Sequence, residues 1–217
     1  MDIKNPLYQN QGIHVIASIF TVEKGITKVL LIHRKNEPYK NMWALVGGAL
    51  YNNENLDECL IREVKEKTGL EQINFKLCNV FGDKNRSSLM RMIAVSYLGV
   101  IDSTKVNLQK ETLKTSDAEW FSIDKIPELA YDHNEILNNA LNNLKESILN
   151  TDILKSLFPS EFVLPELQKV CESILNKKFD RRNFRRKLIN DNVIIDINKE
   201  HKFNGKKPAK LYKFSDN

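Results

Sequence analysis

The stretch from Gly48 to Leu70, GALYNNENLDECLIREVKEKTGL, constrains this chain more than any other, because a glycine pair leads through an acidic loop into a segment of helical period. From Leu56 onward a repeat of 3.6 places Leu56, Cys59, Leu60 and Val64 on one face, while Glu63, Glu66 and Lys67 share another. Glutamates at i and i+3 set two carboxylates side by side, the oxygen donors that a hard divalent cation such as Mg2+ or Mn2+ prefers. Lys67 puts an ammonium beside them. Gly47 and Gly48 follow a short apolar strand, Trp43 to Val46, and are expected to let the backbone turn sharply toward a ligand and the helix.

Short runs rich in Val, Ile and Leu, Ile13 to Phe20 and Lys28 to Arg34, predict a hairpin turned at Glu23-Lys24-Gly25. Arg34 ends the second run just before Asn36-Glu37-Pro38, where the chain must break. Such a residue faces either a ligand or solvent. Two further strands, Ile73 to Val80 and Arg91 to Ile101, flank a polar loop from Gly82 to Ser88 that is able to close over a ligand. A strand around Ala118 to Phe121 then leads to Asp132-His133, an N-cap-like start for a helix carrying Ile136, Leu137, Ala140, Leu141 and Leu144. His133 reads as a helix-start or packing residue ahead of a catalytic base.

A length of 217 residues allows one large domain, or a large and a small one. No run approaches the roughly 20 apolar residues that span a bilayer, and the opening MDIKNPLYQNQG lacks a signal-peptide layout. Cys59, Cys78 and Cys171 have no CxxC spacing, which argues against a zinc site or a disulfide framework and fits buried thiols in a reducing cytoplasm. Charge is unevenly spread. Residues 151–217 hold fifteen Lys and Arg against nine Asp and Glu, a net +6, whereas residues 1–150 hold eighteen against nineteen, a net −1. We therefore place a domain change near Asn150, giving domains 1–150 and 151–217.

The basic third is punctuated as helix, turn, helix and two strands. Pro165 suits the first turn of a helix whose stripe is Leu167, Val170, Cys171, Ile174 and Leu175. Asp180 is a plausible N-cap for Arg181 to Asn190, in which Phe184, Leu188 and Ile189 turn inward. Arg181, Arg182, Asn183, Arg185, Arg186 and Lys187 cover the rest of that helix, as a helix in a DNA major groove requires: cations for phosphates and guanidinium groups able to read guanine edges. Val193 to Ile197 and Lys210 to Phe214 read as strands around HKFNGKKPAK, a wing with Lys206 and Lys207 at its tip.

Gly48, Glu54, Arg62, Glu63, Val64, Glu66, Gly69 and Leu70 stand at the defined positions of the Nudix box, so the segment resembles the Nudix hydrolase family. Val46 replaces its usual Pro, and Lys67 replaces the second Glu of its metal-binding pair. Phe81-Gly82-Asp83, Arg86, Arg91, Val95-Ser96-Tyr97 and Leu129 to His133, with EFVLPELQ, DRRNFRRKL and GKKPAKLYKF, are similar to the Nudix-related transcriptional regulators of the NrtR type. The resemblance covers almost the whole chain. It implies an α+β protein, an N-terminal Nudix α/β/α sandwich followed by a C-terminal winged helix-turn-helix. It implies a homodimer on double-stranded operator DNA, released by a small-molecule effector, ADP-ribose or a sugar. Arg34, Gly47, Gly48, Arg86 and Arg91 would hold the effector, and Glu63 and Glu66 would bind a metal weakened by Lys67. Mg2+ is then possible but weak, and the regulator reading requires no cofactor. The alternative is an Mg2+-dependent ADP-ribose or nucleoside-diphosphate pyrophosphatase with Glu63 catalytic.

Overall fold

The computed structural model describes residues 11–149, 151–202 and 208–215. Its centre is a seven-stranded mixed sheet. Strands β1 (Gln11–Glu23) and β2 (Ile26–Arg34) form the expected hairpin, longer than the apolar runs because the residues next to the turn, Thr21, Val22 and Glu23, still pair with Lys28, Thr27 and Ile26. β1 also lies parallel to β6 (Arg91–Val100) over ten residue pairs and antiparallel to β4 (Val46–Ala49). β5 (Phe75–Phe81) flanks β6, whereas β3 (Trp43–Ala44) and β7 (Thr115–Ser122) flank β2. The expected single strand at Trp43 to Val46 is thus two, which bond to different neighbours.

Alternation along the central strands makes two apolar faces, as a sheet covered on both sides needs. Val15, Ala17, Ile19, Leu30 and Ile32 pack under α1 (Leu56–Thr68) with Cys59, Leu60 and Val64. Ile16, Phe20, Val29, Leu31 and Leu98 pack under α2 (His133–Ser147) with Ile136, Leu137, Ala140 and Leu144. α1 starts on a capping box between Asn55 and Glu58 and stops at Gly69, whose φ of 70° is left-handed. Leu60 is 2% exposed, and truncating it to Ala would cost about 2–5 kcal/mol.

The second core does not end with α2. It continues through Ile148, Leu154 in α3 (Thr151–Lys155) and Leu157 into the basic third. There α4 (Leu164–Leu175) and α5 (Arg181–Asn190) pack against a three-stranded sheet ordered β8 (Phe162–Val163), β10 (Ala209–Phe214), β9 (Ile194–His201). Phe162, Leu167, Cys171, Ile174, Phe184, Leu188, Tyr212 and Phe214 fill this end. α4 is the shared element: it packs beside α5 and also touches α2, β1 and β2, where Ser173 Oγ lies 2.7 Å from Thr27 Oγ1.

Several local expectations change. Leu164 is the first helical residue of α4, so Pro165 is the second; either place in the first turn tolerates its missing N–H. Ile189 is 36% exposed, because Phe184 and Leu188 already fill the inward stripe of a ten-residue helix. Asp132 precedes α2 but its carboxylate makes no cap, being drawn to Arg86. The three thiols are free, with Cys59 and Cys171 buried and Cys78 only half-buried at the sheet edge. Burial pushes Cys59 and Cys171 up to about 12, which leaves them inert. No helix among the described residues is long and apolar enough to cross a membrane. Lys206 and Lys207 lie outside the described residues.

Candidate functional site

Gly47 and Gly48 sit in β4 with no left-handed backbone; what they supply is space rather than a turn. A Cβ on Gly48 would lie 2.2–2.4 Å from the Glu63 carboxyl, and one on Gly47 would lie 2.3 Å from Val15 O. The missing side chains let Glu63, on the inner side of α1, lie flat against the strand. Its side chain is 4% exposed.

Around Glu63 the box builds a closed charge network. Arg62 holds Glu54 through two donors, Nε at 2.7 Å and Nη2 at 2.6 Å, and reaches Glu63 Oε1 at 2.5 Å and Glu66 Oε2 at 3.4 Å. Its guanidinium also rests 4.0 Å from the centre of the Tyr51 ring. Lys67 Nζ lies 2.9 Å from Glu63 Oε2 and donates to Gly47 O. Lys114, in the loop before β7, lies 2.5 Å from Glu66 Oε2 and 3.6 Å from Glu63 Oε1. Burial alone would raise the Glu63 carboxyl, but Lys67, Arg62 and Lys114 outweigh it and hold its pKa below the ordinary value. Hydrogen bonds from Arg62 bring Glu54 down to about 2. Burial lowers Lys67, against the pull of Glu63. Lys114 carried no local signal, since it stands 47 residues beyond Lys67 in an unremarkable polar loop.

Beside this network a cavity of about 280 Å³ opens between Ile32, Arg34, Lys35, Asn36, Glu37, Lys67 and Lys114. Arg34 lies at its rim, donating to Pro38 O at 2.7 Å and Asn36 O at 3.3 Å and facing Tyr131, whose ring centre is 5.1 Å away. The Tyr131 and Tyr39 rings meet at 4.5 Å with their planes tilted by 54°, and both residues are in left-handed backbone with φ of 57° and 65°. Bulky residues hold that conformation only where their surroundings impose it.

The loop from Gly82 to Ser88 is pinned to the start of α2, because Arg86 is buried and grips Asp132 with two donors, at 2.8 and 2.7 Å. Arg91 differs. Its Nη1 is buried without a hydrogen-bond partner among the described residues, a state it shares with Ser18 Oγ and Glu63 Oε2. His14 and His133 stand in the field of these cations. Burial first, then Arg86, lowers them to about 4 and about 3. His133 Nδ1 accepts the Leu45 N–H at 3.0 Å, so the neutral ring carries its proton on Nε2 and has no lone pair for base catalysis. Packing is therefore its role.

On α5, Asp180 caps the helix by accepting from Asn183 N. Arg181 and Arg182 are exposed and make no side-chain hydrogen bond or ion pair among the described residues. Arg186 reaches Asn183 Oδ1 at 2.8 Å and Lys187 pairs with Asp191 at 2.5 Å, both on the surface. Arg185 alone turns to the wing, donating to the Tyr212 hydroxyl at 2.8 Å and lying 3.4 Å from Asp196. The helix thus presents Arg181, Arg182, Asn183, Arg186 and Lys187 outward, while Arg185 ties it to β9 and β10.

The NUDIX domain model matches residues 12–141, and the model of the NrtR DNA-binding winged helix domain matches residues 154–214. The ADPR responsive transcriptional repressor NtrR of Acinetobacter baylyi is 32% identical over 212 residues, covering 96% of this chain and 84% of that one. The crystal structure of Shewanella oneidensis NrtR complexed with a 27mer DNA is 26% identical at a TM-score of 0.75, covering 94% of this chain and 93% of that one. The NUDIX domain of the same Shewanella protein, complexed with ADP ribose, is 26% identical at a TM-score of 0.59, covering 66% and 94%. The chain accordingly belongs to the Nudix family, in the branch that joins a Nudix domain to an NrtR winged helix.

Proposed function

We propose that this chain is a ligand-responsive transcriptional repressor, cytoplasmic and homodimeric, whose residues 151–217 bind operator DNA and whose residues 1–150 sense ADP-ribose. The observation that carries the reading is the outward row of Arg181, Arg182, Asn183, Arg186 and Lys187, held by a capped helix against a three-stranded wing. Its supports are similarity to a repressor along nearly the whole chain and to an NrtR solved with DNA. Arg34, Gly47, Gly48, Arg86 and Arg91 serve the effector, with the cavity beside Arg34 and Lys67 open to its diphosphate. Guanidinium groups suit that anion through their permanent charge and forked donors. Lys206 and Lys207 would add phosphate contacts at the wing tip.

Ligand binding works by differential affinity: the effector favours a dimer geometry in which the two recognition helices no longer match successive major grooves. α4 offers the physical link, since it touches both β2 and α5. A mobility shift with the chain's own upstream region is the test. Binding should weaken when ADP-ribose is added, and Arg182→Ala combined with Arg186→Ala, both in the outward row, should abolish it; unchanged binding by that variant refutes the helix assignment.

The pyrophosphatase alternative retains Glu54, Glu63 and Glu66 in one cluster, but their three negative charges face the positive charges of Arg62, Lys67 and Lys114, a net of zero. A divalent cation there would have to displace Lys67 from Glu63 Oε2, a buried oxygen that has the ammonium 2.9 Å away but no hydrogen bond, and Lys114 from Glu66. Turnover of ADP-ribose with Mg2+ above about 1 s−1, an ordinary enzymatic rate, would reverse the ranking. A thermal-shift screen of ADP-ribose against pentoses separates a nucleotide effector from a sugar.

A further inference from the structure

We infer that Lys67 and Lys114 take the place of a divalent cation in this Nudix domain, so that the cavity beside them binds the diphosphate of its ligand through ammonium groups and without a metal. The inference rests on the sensor reading and adds how that site recognises its ligand.

Three observations converge. First, the two glutamates of the box helix have their carboxylates matched by lysines: Glu63 by Lys67 at 2.9 Å, and Glu66 by Lys114 at 2.5 Å. The lysines come from different parts of the chain, one from the helix itself and one from the loop before β7. Second, both line the same cavity as Arg34 and Lys35, four cations against the single carboxylate of Glu37, so the charges that neutralise the glutamates also face the open space. Third, each ammonium has three N–H donors. Lys67 donates to Gly47 O and lies 2.9 Å from Glu63 Oε2, and Lys114 donates to Glu66 Oε2 at 2.5 Å and lies 3.6 Å from Glu63 Oε1, so each ammonium retains N–H donors for a phosphate oxygen.

A metal bridge works by taking carboxylate oxygens on one side and phosphate oxygens on the other. An ammonium fixed by a carboxylate does the same with charge and hydrogen bonds, but it activates no water. Binding and hydrolysis are thereby separated. Adding a cation to the network would set like charge within a few ångströms of two ammoniums, so a metal is repelled rather than recruited.

Calorimetric titration of the full chain with ADP-ribose, in chelator and again in Mg2+, tests this without any variant: the affinities should agree to within about twofold. Lys67→Glu restores a carboxylate at the box position. It should bind at least about tenfold more weakly in chelator and recover in Mg2+ or Mn2+, whereas Lys67→Met should lose affinity in both. Lys114→Met, at a more exposed position, should weaken binding similarly without recovery in metal. Retained DNA binding verifies that each variant is folded. Wild-type binding that requires Mg2+, or a Lys67→Glu variant that binds as tightly as wild type in chelator, overturns the inference and leaves the sensor reading intact. Absence of ADP-ribose binding in either buffer overturns the sensor reading as well.

Discussion

His14 and His133 make the stability of this protein depend on mild acid, and the dependence can be worked out from their burial. Both are held neutral, with folded-state pKa values lowered from 6.5 to about 4 and about 3, by burial first and then by Arg86 and other cations. Once unfolded they take up protons below pH 6.5, while the folded chain refuses them until lower pH. Protonation therefore favours the unfolded state, and stability present above pH 6.5 is lost as pH falls. At pH 5 each histidine contributes a loss of about 2 kcal/mol relative to pH 7, about 4 kcal/mol for the pair. That is a large share of a domain's typical 5–15 kcal/mol. The carboxylates with lowered pKa values act below about pH 4.5, so the interval from pH 7 to pH 5 isolates the histidines. Replacing His133 by Leu removes its share of the slope but strands the Leu45 N–H, at a cost of about 1–3 kcal/mol at every pH. Urea unfolding of both proteins at pH 7 and pH 5 should show a less stable variant at pH 7 and near-equal stabilities at pH 5. A variant with the full wild-type slope would refute the burial of a neutral His133.

Further outcomes follow from the same geometry. Gly48→Ala pushes a methyl into a Glu63 carboxyl pinned by Arg62 and Lys67; melting should report a loss of about 1–3 kcal/mol, and effector binding should weaken while DNA binding persists. Leu188→Ala opens a hole beneath the recognition helix and should cost about 2–5 kcal/mol in urea unfolding. Asp180→Ala removes the cap of α5, worth about 1 kcal/mol, and should lower DNA affinity without touching a DNA contact. Arg181→Ala should reduce the slope of log affinity against log salt by about one, the signature of a lost phosphate contact.

What could be read from the chain alone was whatever local periodicity records. The faces of α1, the hairpin and the N-cap of α5 all lie within a few residues of their signals, and all are present. What could not be read depends on distant partners. The space at Gly48 is defined by Glu63, fifteen positions later, so a turn was the natural expectation where a close approach is the fact. Asp132 has the chemistry of a cap, yet a bidentate arginine 46 residues away outcompetes a backbone N–H. Lys114 enters the box network only because β7 pairs with β2 and carries its preceding loop past α1. Likewise β8 is two residues long, too short for alternation to mark, and exists because β10 pairs with it. The charge shift near Asn150 marks a change of surface, while the apolar core runs across it from Leu144 to Leu167.

Whether one chain couples ADP-ribose to operator DNA is decided by titrating the intact protein on its own upstream DNA with and without ADP-ribose, in chelator so that hydrolysis plays no part. Binding should be specific and weakened by ADP-ribose at least about tenfold, a coupling free energy of about 1.4 kcal/mol or more. DNA affinity that stays the same when ADP-ribose is demonstrably bound would contradict that coupling.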